Sequence, residues 1–331
     1  MDEDLSWHPP DYRVDRDGKV IGGQSPTRPH NWGRFGSLDE KGTANLIQPE
    51  SIVQAARLIS DGEVFSLSIP LERGGPVHPE RLDVLHVFQY TAGDFVTGSA
   101  LNTRFPRFQG SDDYIVMPLQ AGTQWDGLSH AASEDLLYNG FWAGTVEGYG
   151  GARRCGIHNL RGSLVGRGVL LDIARYHNVD YLSPGYAIDG KDLQGCVEHE
   201  GVDIHVGDIL LIRTGHLPRY YSMSDKAEFW RLGAPGLGRG SCEWLYEVNV
   251  SAVAVDTVGA EVEPFEEPWD VIYPLHVKLI RDLGLSIGEL WWLEELAEAC
   301  ENDGRYEFFL SAPPLNITNG SGSPVNPVAI R

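Results

Sequence analysis

The chain has 331 residues, of which 42% are hydrophobic and 22% are charged, a composition typical of ordinary globular proteins. Its net charge of −21 argues against nucleic acid and anionic membrane surfaces as partners, because both require a basic face. The four cysteines form no CxxC pair, so we expect free, mostly buried thiols. The N-terminus has no apolar run, and no stretch reaches the roughly 18 apolar residues of a membrane span, so we expect a cytoplasmic protein.

Residues 1–45 are rich in Pro, Gly, Arg and Asp and predict an irregular N-terminal arm. The arm carries Trp7, Trp32 and Phe35, large aromatic side chains that are poorly suited to solvent. We therefore expect the arm to pack on one domain formed by residues 46–331.

A helix is predicted next, beginning at Pro49 and ending at Gly62. Its apolar stripe should face the core and comprises Ile52, Val53, Ala56 and Ile59. The run EVFSLSIP at 63–70 then alternates apolar and polar residues, which predicts a half-buried strand.

Three later runs are apolar on both faces and predict central strands of a covered sheet. They are GVLLDI (168–173), DILLIRTG (208–215) and VSAVAVDT (250–257). Two helices should follow, one from Pro274 to Gly284 and one beginning at Ser286. The tail at 321–331 is rich in Gly and Pro but ends in apolar residues, so we expect it to dock. Strands mixed with helices, without strict alternation, favour an α/β domain around a mixed sheet.

The stretch LQAGTQWDGLSHAA (119–132) carries the candidate chemistry. Asp126 and His130 are strong metal-binding or acid–base residues, whereas Gln120 and Gln124 offer only a neutral carbonyl oxygen. In an extended segment, positions 120, 124 and 126 share one face because strand side chains alternate. The spacing fits a metal-hydrolase site, and it fits equally a polar strand end whose glutamines bond to the backbone.

The same stretch resembles the cyclase family of metal-dependent hydrolases, which includes bacterial kynurenine formamidase, isatin hydrolase and trans-dienelactone hydrolase. The family signature is HxGTHxDxxxH, and this chain has QAGTQWDGLSH, with glutamine at the first two histidine positions. The resemblance extends to WGRFGSLDEKGTANLI, LLYNG, GRGVLLDIARY, VGDILLIRTGH, VAVDTVGAEV and HVKLIRDLGLSIGEL, and so covers most of the chain from about residue 30. It implies the family's swivelling β/β/α fold and assembly as a homodimer or homotetramer.

The resemblance also implies a divalent metal, zinc or manganese, held by Asp126 with His276 and Glu289. Glu289 falls one residue further along than the usual family spacing, and Ser286-x-x-Glu289 is also a capping box, which would place Glu289 at a helix start. The two glutamines depart from the signature and weaken the first metal position, so Gln120 and Gln124 would be weak oxygen donors or orienting residues. The trans-dienelactone branch carries the same glutamine form and remains metal-dependent.

Substrate contacts are predicted at three positions. Trp125 and Tyr138 could wall an apolar pocket, although aromatic residues commonly belong to the core. Arg213 at a strand end could bind a substrate carboxylate through two hydrogen bonds, with a salt bridge as the alternative.

The sequence thus predicts a metal-dependent hydrolase that opens an amide or lactone bond in a small cyclic or aromatic substrate. A metal-bound water would be the nucleophile, and His130 would act as general acid and base, with Asp126 and Glu289 beside it. Two alternatives stay open. One is a metal-free lyase or cyclase that uses acid–base catalysis alone, and the other is a binding protein that keeps the fold without catalysis.

Overall fold

The computed structural model describes residues 11–99, 107–266 and 273–331. One mixed sheet of nine strands organises them. The strands are β1 (Val64–Ser66), β2 (Gln124–Asp126), β3 (Val165–Asp172), β4 (Ile209–Arg213), β5 (Ala252–Val255), β6 (Ser286–Glu289), β7 (Glu307–Ser311), β8 (Gly322–Pro324) and β9 (Val328–Ile330). Their order across the sheet is β8-β2-β6-β5-β4-β3-β7-β9-β1.

The centre of the sheet is parallel and its two sides are antiparallel. Strands β3, β4, β5 and β6 run parallel to one another, and the remaining pairs are antiparallel. Every residue of β4, β5 and β6 is buried. Parallel strands covered on both faces read as continuous apolar runs, which is why the sequence identified the three central strands. These predictions are confirmed.

Nine α-helices are found in the described parts of the chain. They are α1 (Pro49–Ala55), α2 (Ala92–Thr97), α3 (Ile173–Tyr176), α4 (Gly190–Glu200), α5 (Leu217–Ser222), α6 (Lys226–Arg231), α7 (Ser241–Val248), α8 (Pro274–His276) and α9 (Glu294–Asp303). Helix α8 continues as a π-helix over Val277–Asp282. Within the described ranges, none of the helices has the length and apolar character needed to cross a bilayer.

The buried face of α1 differs from the predicted stripe. The helix begins at Pro49 as predicted, but Val53 and Ile59 are 57% and 40% exposed, and Ala55 is the buried residue. The chain tightens into a 3₁₀ turn over Ala56–Leu58. A 3₁₀ helix has three residues per turn, so the partly buried Leu58 lies on the same side as Ala55. The spacing of the buried positions therefore changes where the helix type changes.

The helix predicted from Ser286 is wrong at its start. Ser286–Glu289 form β6, and the helix begins only at Glu294. Strand β6 pairs with β5 on one side and with β2 on the other, and this pairing supplies hydrogen-bond partners for its buried backbone N–H and C=O groups. The tertiary pairing overrides the local helical pattern. The capping-box interpretation of Glu289 therefore fails, because Glu289 ends a strand.

Both ends of the described chain contact the sheet domain. In the predicted arm, Trp32 donates from Nε1 to the carbonyl of Arg281 at 2.6 Å, and the amide of Asn31 donates to the carbonyl of Asp282 at 3.0 Å. Phe35 is half-buried, and Trp7 lies outside the described residues. At the other end, β8 and β9 join the central sheet, which confirms that the tail docks. All four cysteines are free and buried, as predicted.

Candidate metal centre

The pairing of β2 with β6 builds the floor of the site. Gln124 and Glu289 are register partners across these strands, so their side chains lie together, and Nε2 of Gln124 donates to Oε2 of Glu289 at 2.7 Å. Asp126 stands two residues along β2 and faces the same side. All three side chains are essentially inaccessible to solvent.

Trp125 faces the opposite side of β2 and belongs to the core. Its Nε1 donates to the carbonyl of Ala312 at 2.8 Å, and its ring stands edge-on to Trp291 with centroids 4.8 Å apart. The two rings meet over Gly288, where a Cβ would lie 2.6 Å from Nε1 of Trp291. Strand alternation thus separates a polar side for the site from an aromatic side for the core, and Trp125 does not wall a pocket.

His276 is held from behind by Glu261. This glutamate accepts from the backbone amides of Leu275 (3.1 Å) and His276 (3.3 Å) at the start of α8, and it lies 2.5 Å from Nδ1 of the His276 ring. The other ring nitrogen, Nε2, lies 3.3 Å from Oε1 of Glu289 and 3.8 Å from Oδ2 of Asp126. Burial by itself lowers the pKa of His276, but the hydrogen bond to Glu261 and the negative charge of nearby Glu289 outweigh it and raise the pKa to about 10.

Several buried acceptor atoms meet at this point. Within the described parts of the chain, no hydrogen-bond donor reaches either carboxylate oxygen of Asp126, Oε1 of Glu289 or Oε1 of Gln124. Burial, and then the nearby charge of Glu289, raise the pKa of Asp126 well above its usual range. Buried acceptors are ordinarily satisfied, so this concentration of unpaired oxygens requires an explanation.

One potential ligand atom from each of Asp126, His130 and His276 lies within 4.8 Å of the others. His130 contributes Nε2 at 3.7 Å from Oδ1 of Asp126. Carboxylate oxygens with imidazole nitrogens are the donor set of zinc and manganese sites. The residues present therefore fit a divalent cation, which would satisfy the unpaired oxygens.

A cavity of about 430 Å³ opens above this centre and is called the site cavity here. It is lined by His78, Glu80, Arg81, His130, Ala131, Ala132, Val258, Gly259, Tyr273, His276, Val277 and Glu289. The side chain of His130 is 24% exposed. Burial, and then the proximity of His276, lower the pKa of His130 to about 4, so its imidazole is neutral near pH 7 and a weaker base than an ordinary histidine.

Two further predicted residues, Gln120 and Tyr138, are engaged elsewhere. Gly122 has a φ of +70°, which breaks the extended backbone before β2, and Nε2 of Gln120 donates to Oγ of Ser321 at 3.2 Å. Gln120 therefore does not share the face of Gln124, contrary to the assumption of one continuous extended segment. Tyr138 is fully buried and donates its hydroxyl to Asp39 at 3.1 Å.

Arg213 is occupied by two carboxylates and does not line the site cavity. Its guanidinium lies 2.9 Å from Asp172 and 2.7 Å from Glu294. Asp256, at the end of β5, has a structural role too, because its carboxylate accepts from the amides of Thr214 and Gly215 at 2.8 Å each.

Two residues that act at the site, Glu261 and Arg81, were not predicted from the sequence. Glu261 had a weak signal, an acidic residue in the apolar segment that follows β5. Arg81 had none, because the turn that carries it is distant in sequence from every motif and reaches the cavity only through the tertiary fold.

Comparisons with known proteins agree with this architecture. The Cyclase family model matches residues 65–262, more than half of the chain. The crystal structure of a novel cyclase is 43% identical, with a TM-score of 0.86 over 91% of this chain and 99% of that chain. No curated protein matches the sequence.

Two solved isatin hydrolases share the fold at lower identity. Isatin hydrolase A from Labrenzia aggregata, bound to benzyl benzoate, is 20% identical with a TM-score of 0.57, over 81% of this chain and 93% of that one. Isatin hydrolase A from Ralstonia solanacearum is 19% identical with a TM-score of 0.58, over 86% and 97%. The predicted fold class and the resemblance to cyclase-family proteins are confirmed.

Proposed function

The chain belongs to the Cyclase family, and we propose that it is a metal-dependent hydrolase that opens an amide or lactone bond in a small cyclic or aromatic substrate. The observation that carries the proposal is the set of buried, unpaired oxygens of Asp126, Glu289 and Gln124 beside two histidines at the floor of a cavity. A protein that only bound a neutral ligand would gain nothing from orphaned carboxylate oxygens, whereas a cation makes them favourable.

Asp126, His276 and Glu289 would hold the ion, with Gln124 as a weaker oxygen donor. A zinc or manganese ion bound there supplies Lewis-acid chemistry, polarising the scissile carbonyl and acidifying water. Glu261 fixes the ring of His276 through Nδ1 and leaves Nε2 facing the carboxylates of Asp126 and Glu289. Such an outer carboxylate orients a ligating histidine and raises its basicity.

His130 is the acid and base of this proposal. It borders the site cavity, lies close to Asp126, and is neutral near pH 7. It can therefore accept a proton from the attacking water and return it to the departing nitrogen or oxygen, so that no net proton is gained or lost.

The cavity sets the size of the substrate. Its volume of about 430 Å³ lies near the lower end of small-molecule sites. Ala131, Ala132, Val258 and the ring of Tyr273 give it an apolar wall, which suits a flat ring. The fold shared with isatin hydrolases supports the same class of substrate.

The test combines metal analysis with turnover. Protein purified without chelator should contain about one or more divalent ions per chain and hydrolyse members of a lactone and arylformamide panel, and chelation should abolish the activity. Turnover that survives complete metal removal would favour the metal-free acid–base enzyme. A protein that holds neither metal nor activity would favour the binding protein.

We also propose that the protein is a homodimer or homotetramer. The two-stranded ribbon formed by Leu85–Tyr90 and Asp112–Val116 supports this, because it stands outside the main sheet and exposes apolar side chains such as Phe88 (54%) and Val116 (51%). Isolated two-stranded ribbons are marginal in water. Light scattering of the purified protein would give the mass, and a monomer at micromolar concentration would reject the proposal.

A further inference from the structure

Arg81 is a cation in the wall of the site cavity. Nη1 donates to the backbone carbonyl of Gln120 at 2.5 Å, and across residues 11–99, 107–266 and 273–331 Arg81 forms no ion pair. Arg213, a buried arginine with a structural role, is by contrast paired with two carboxylates. A guanidinium carries five N–H donors, so Arg81 keeps most of its hydrogen-bonding capacity unused.

The position of Arg81 is fixed by a tight turn. Its amide donates to the carbonyl of His78 at 2.8 Å, and Pro79 occupies the second turn position, where its fixed φ is favourable. Inside the turn, the amide of Glu80 donates to Nδ1 of His78 at 3.3 Å. The turn therefore fixes the backbone at Arg81, whose side chain lines the cavity.

The loop around this turn is braced at both ends. Asp83 accepts from the amide of Gly74 at 3.1 Å, and the hydroxyl of Tyr220 on α5 donates to the carbonyls of Gly74 (2.8 Å) and Gly75 (2.9 Å). A braced loop loses less conformational entropy when its arginine engages a ligand, which favours binding.

The charge of Arg81 reaches the reacting centre. It acts to lower the pKa values of Asp126, Glu289 and His130, as a cation near these groups does. Arg81 itself is partly exposed, so a ligand in the cavity can contact it. The planar guanidinium matches a carboxylate through two parallel hydrogen bonds, a geometry that lysine cannot provide.

We propose that Arg81 binds a carboxylate carried by the substrate, so that the site selects small cyclic or aromatic amides and lactones that bear an acid group. This inference rests on the proposed hydrolase function for its reaction, but the carboxylate contact itself does not require turnover. Arg81 is then the residue that decides specificity, while the metal-binding residues and His130 act on the scissile bond.

The kinetic test uses paired substrates that differ only in charge. Each isomer of formamidobenzoate is compared with the matching formamidobenzamide, in wild type, Arg81→Gln and Arg81→Lys. We expect Arg81→Gln to lower kcat/KM for the preferred acid by about 10–100-fold, the scale of a lost charge-assisted hydrogen bond, mainly through KM. The amide substrate should change less than about 3-fold, and Arg81→Lys should lie between the two enzymes because it keeps charge without the paired geometry. Equal effects on acid and amide, or none, would overturn the assignment.

A binding measurement keeps the inference separate from the hydrolase proposal. Calorimetry with benzoate and benzamide needs no turnover, and Arg81→Gln should weaken benzoate by about 10-fold or more while leaving benzamide unchanged. The matched control is Arg153→Gln, an exposed arginine paired with Glu147 away from the cavity, which should alter neither ligand. If Arg81→Gln shows this loss of benzoate binding while the wild type hydrolyses no member of the lactone and arylformamide panel, the hydrolase proposal fails and the Arg81 assignment stands. If benzoate binds wild type and Arg81→Gln equally, the assignment fails even in an active hydrolase.

Discussion

Replacing Asp126 by Asn should have opposite effects on the stability of the metal-free and metal-loaded protein. Asp126 is fully buried and neither carboxylate oxygen accepts a hydrogen bond from any described residue, so the metal-free protein bears the cost of an unpaired acidic group. Such a group costs about 1–3 kcal/mol. An amide is neutral and can donate a hydrogen bond, so Asp126→Asn should stabilise the metal-free protein by a similar amount.

The expected shifts in melting temperature follow from chain length. For 331 residues, an unfolding entropy of about 2.1 cal/mol/K per residue makes 1 kcal/mol worth roughly 1.4 °C. Metal-free Asp126→Asn should therefore melt about 1–4 °C above wild type. Zinc at about 100 times its Kd should stabilise wild type by about 2.7 kcal/mol, or roughly 4 °C, and should leave the variant nearly unchanged.

The assay is differential scanning fluorimetry with chelator-treated protein, titrated with zinc and with manganese. Asp256→Asn is the matched control, because Asp256 is equally buried but accepts hydrogen bonds from Thr214 and Gly215. That variant should be destabilised with or without metal, since an amide nitrogen cannot accept those bonds. If Asp126→Asn destabilises the metal-free protein, or responds to zinc as wild type does, Asp126 is a structural carboxylate and the metal assignment is wrong.

Three further predictions test other parts of the structure. His130→Ala should lower kcat by roughly 10²–10⁴-fold. It should shift the melting temperature little, because the side chain is partly exposed. If the variant turns over substrate at the wild-type rate, His130 has no catalytic role. The double change Gln120→His with Gln124→His should raise zinc affinity, measured by competition with a chromophoric chelator, because imidazole is the better zinc donor. The single change Gln124→His should account for the gain, since Gln120 bonds to Ser321. Equal zinc affinity in all variants would show that Gln124 is not a ligand. Burial raises the pKa of Glu200 to about 8, so the folded state favours the protonated acid. The free energy of unfolding of the wild type should therefore fall as pH rises from about 4.5 to 8, by at most roughly 1.4 kcal/mol per pH unit. In urea titrations Glu200→Gln should flatten that slope, and an unchanged slope would contradict the burial argument.

The sequence by itself determined the elements whose environment is uniform along the chain. The runs that became β3, β4 and β5 are apolar at successive positions because both faces of a central parallel strand are covered, so each could be recognised without knowing its partners. The motif around Asp126 and His130 was equally readable, since its residue types carry chemistry wherever they stand.

Only the tertiary structure decided which side chains meet. Ser286–Glu289 has a helical pattern locally, yet pairing with β5 and β2 makes it a strand and brings Glu289 beside Gln124. A positive φ at Gly122 turns Gln120 away from the centre, and strand alternation sends Trp125 to the core. Glu261 and Arg81 reach the site from segments that are distant in sequence, because a site built on two paired strands collects residues by spatial adjacency, which local periodicity does not encode.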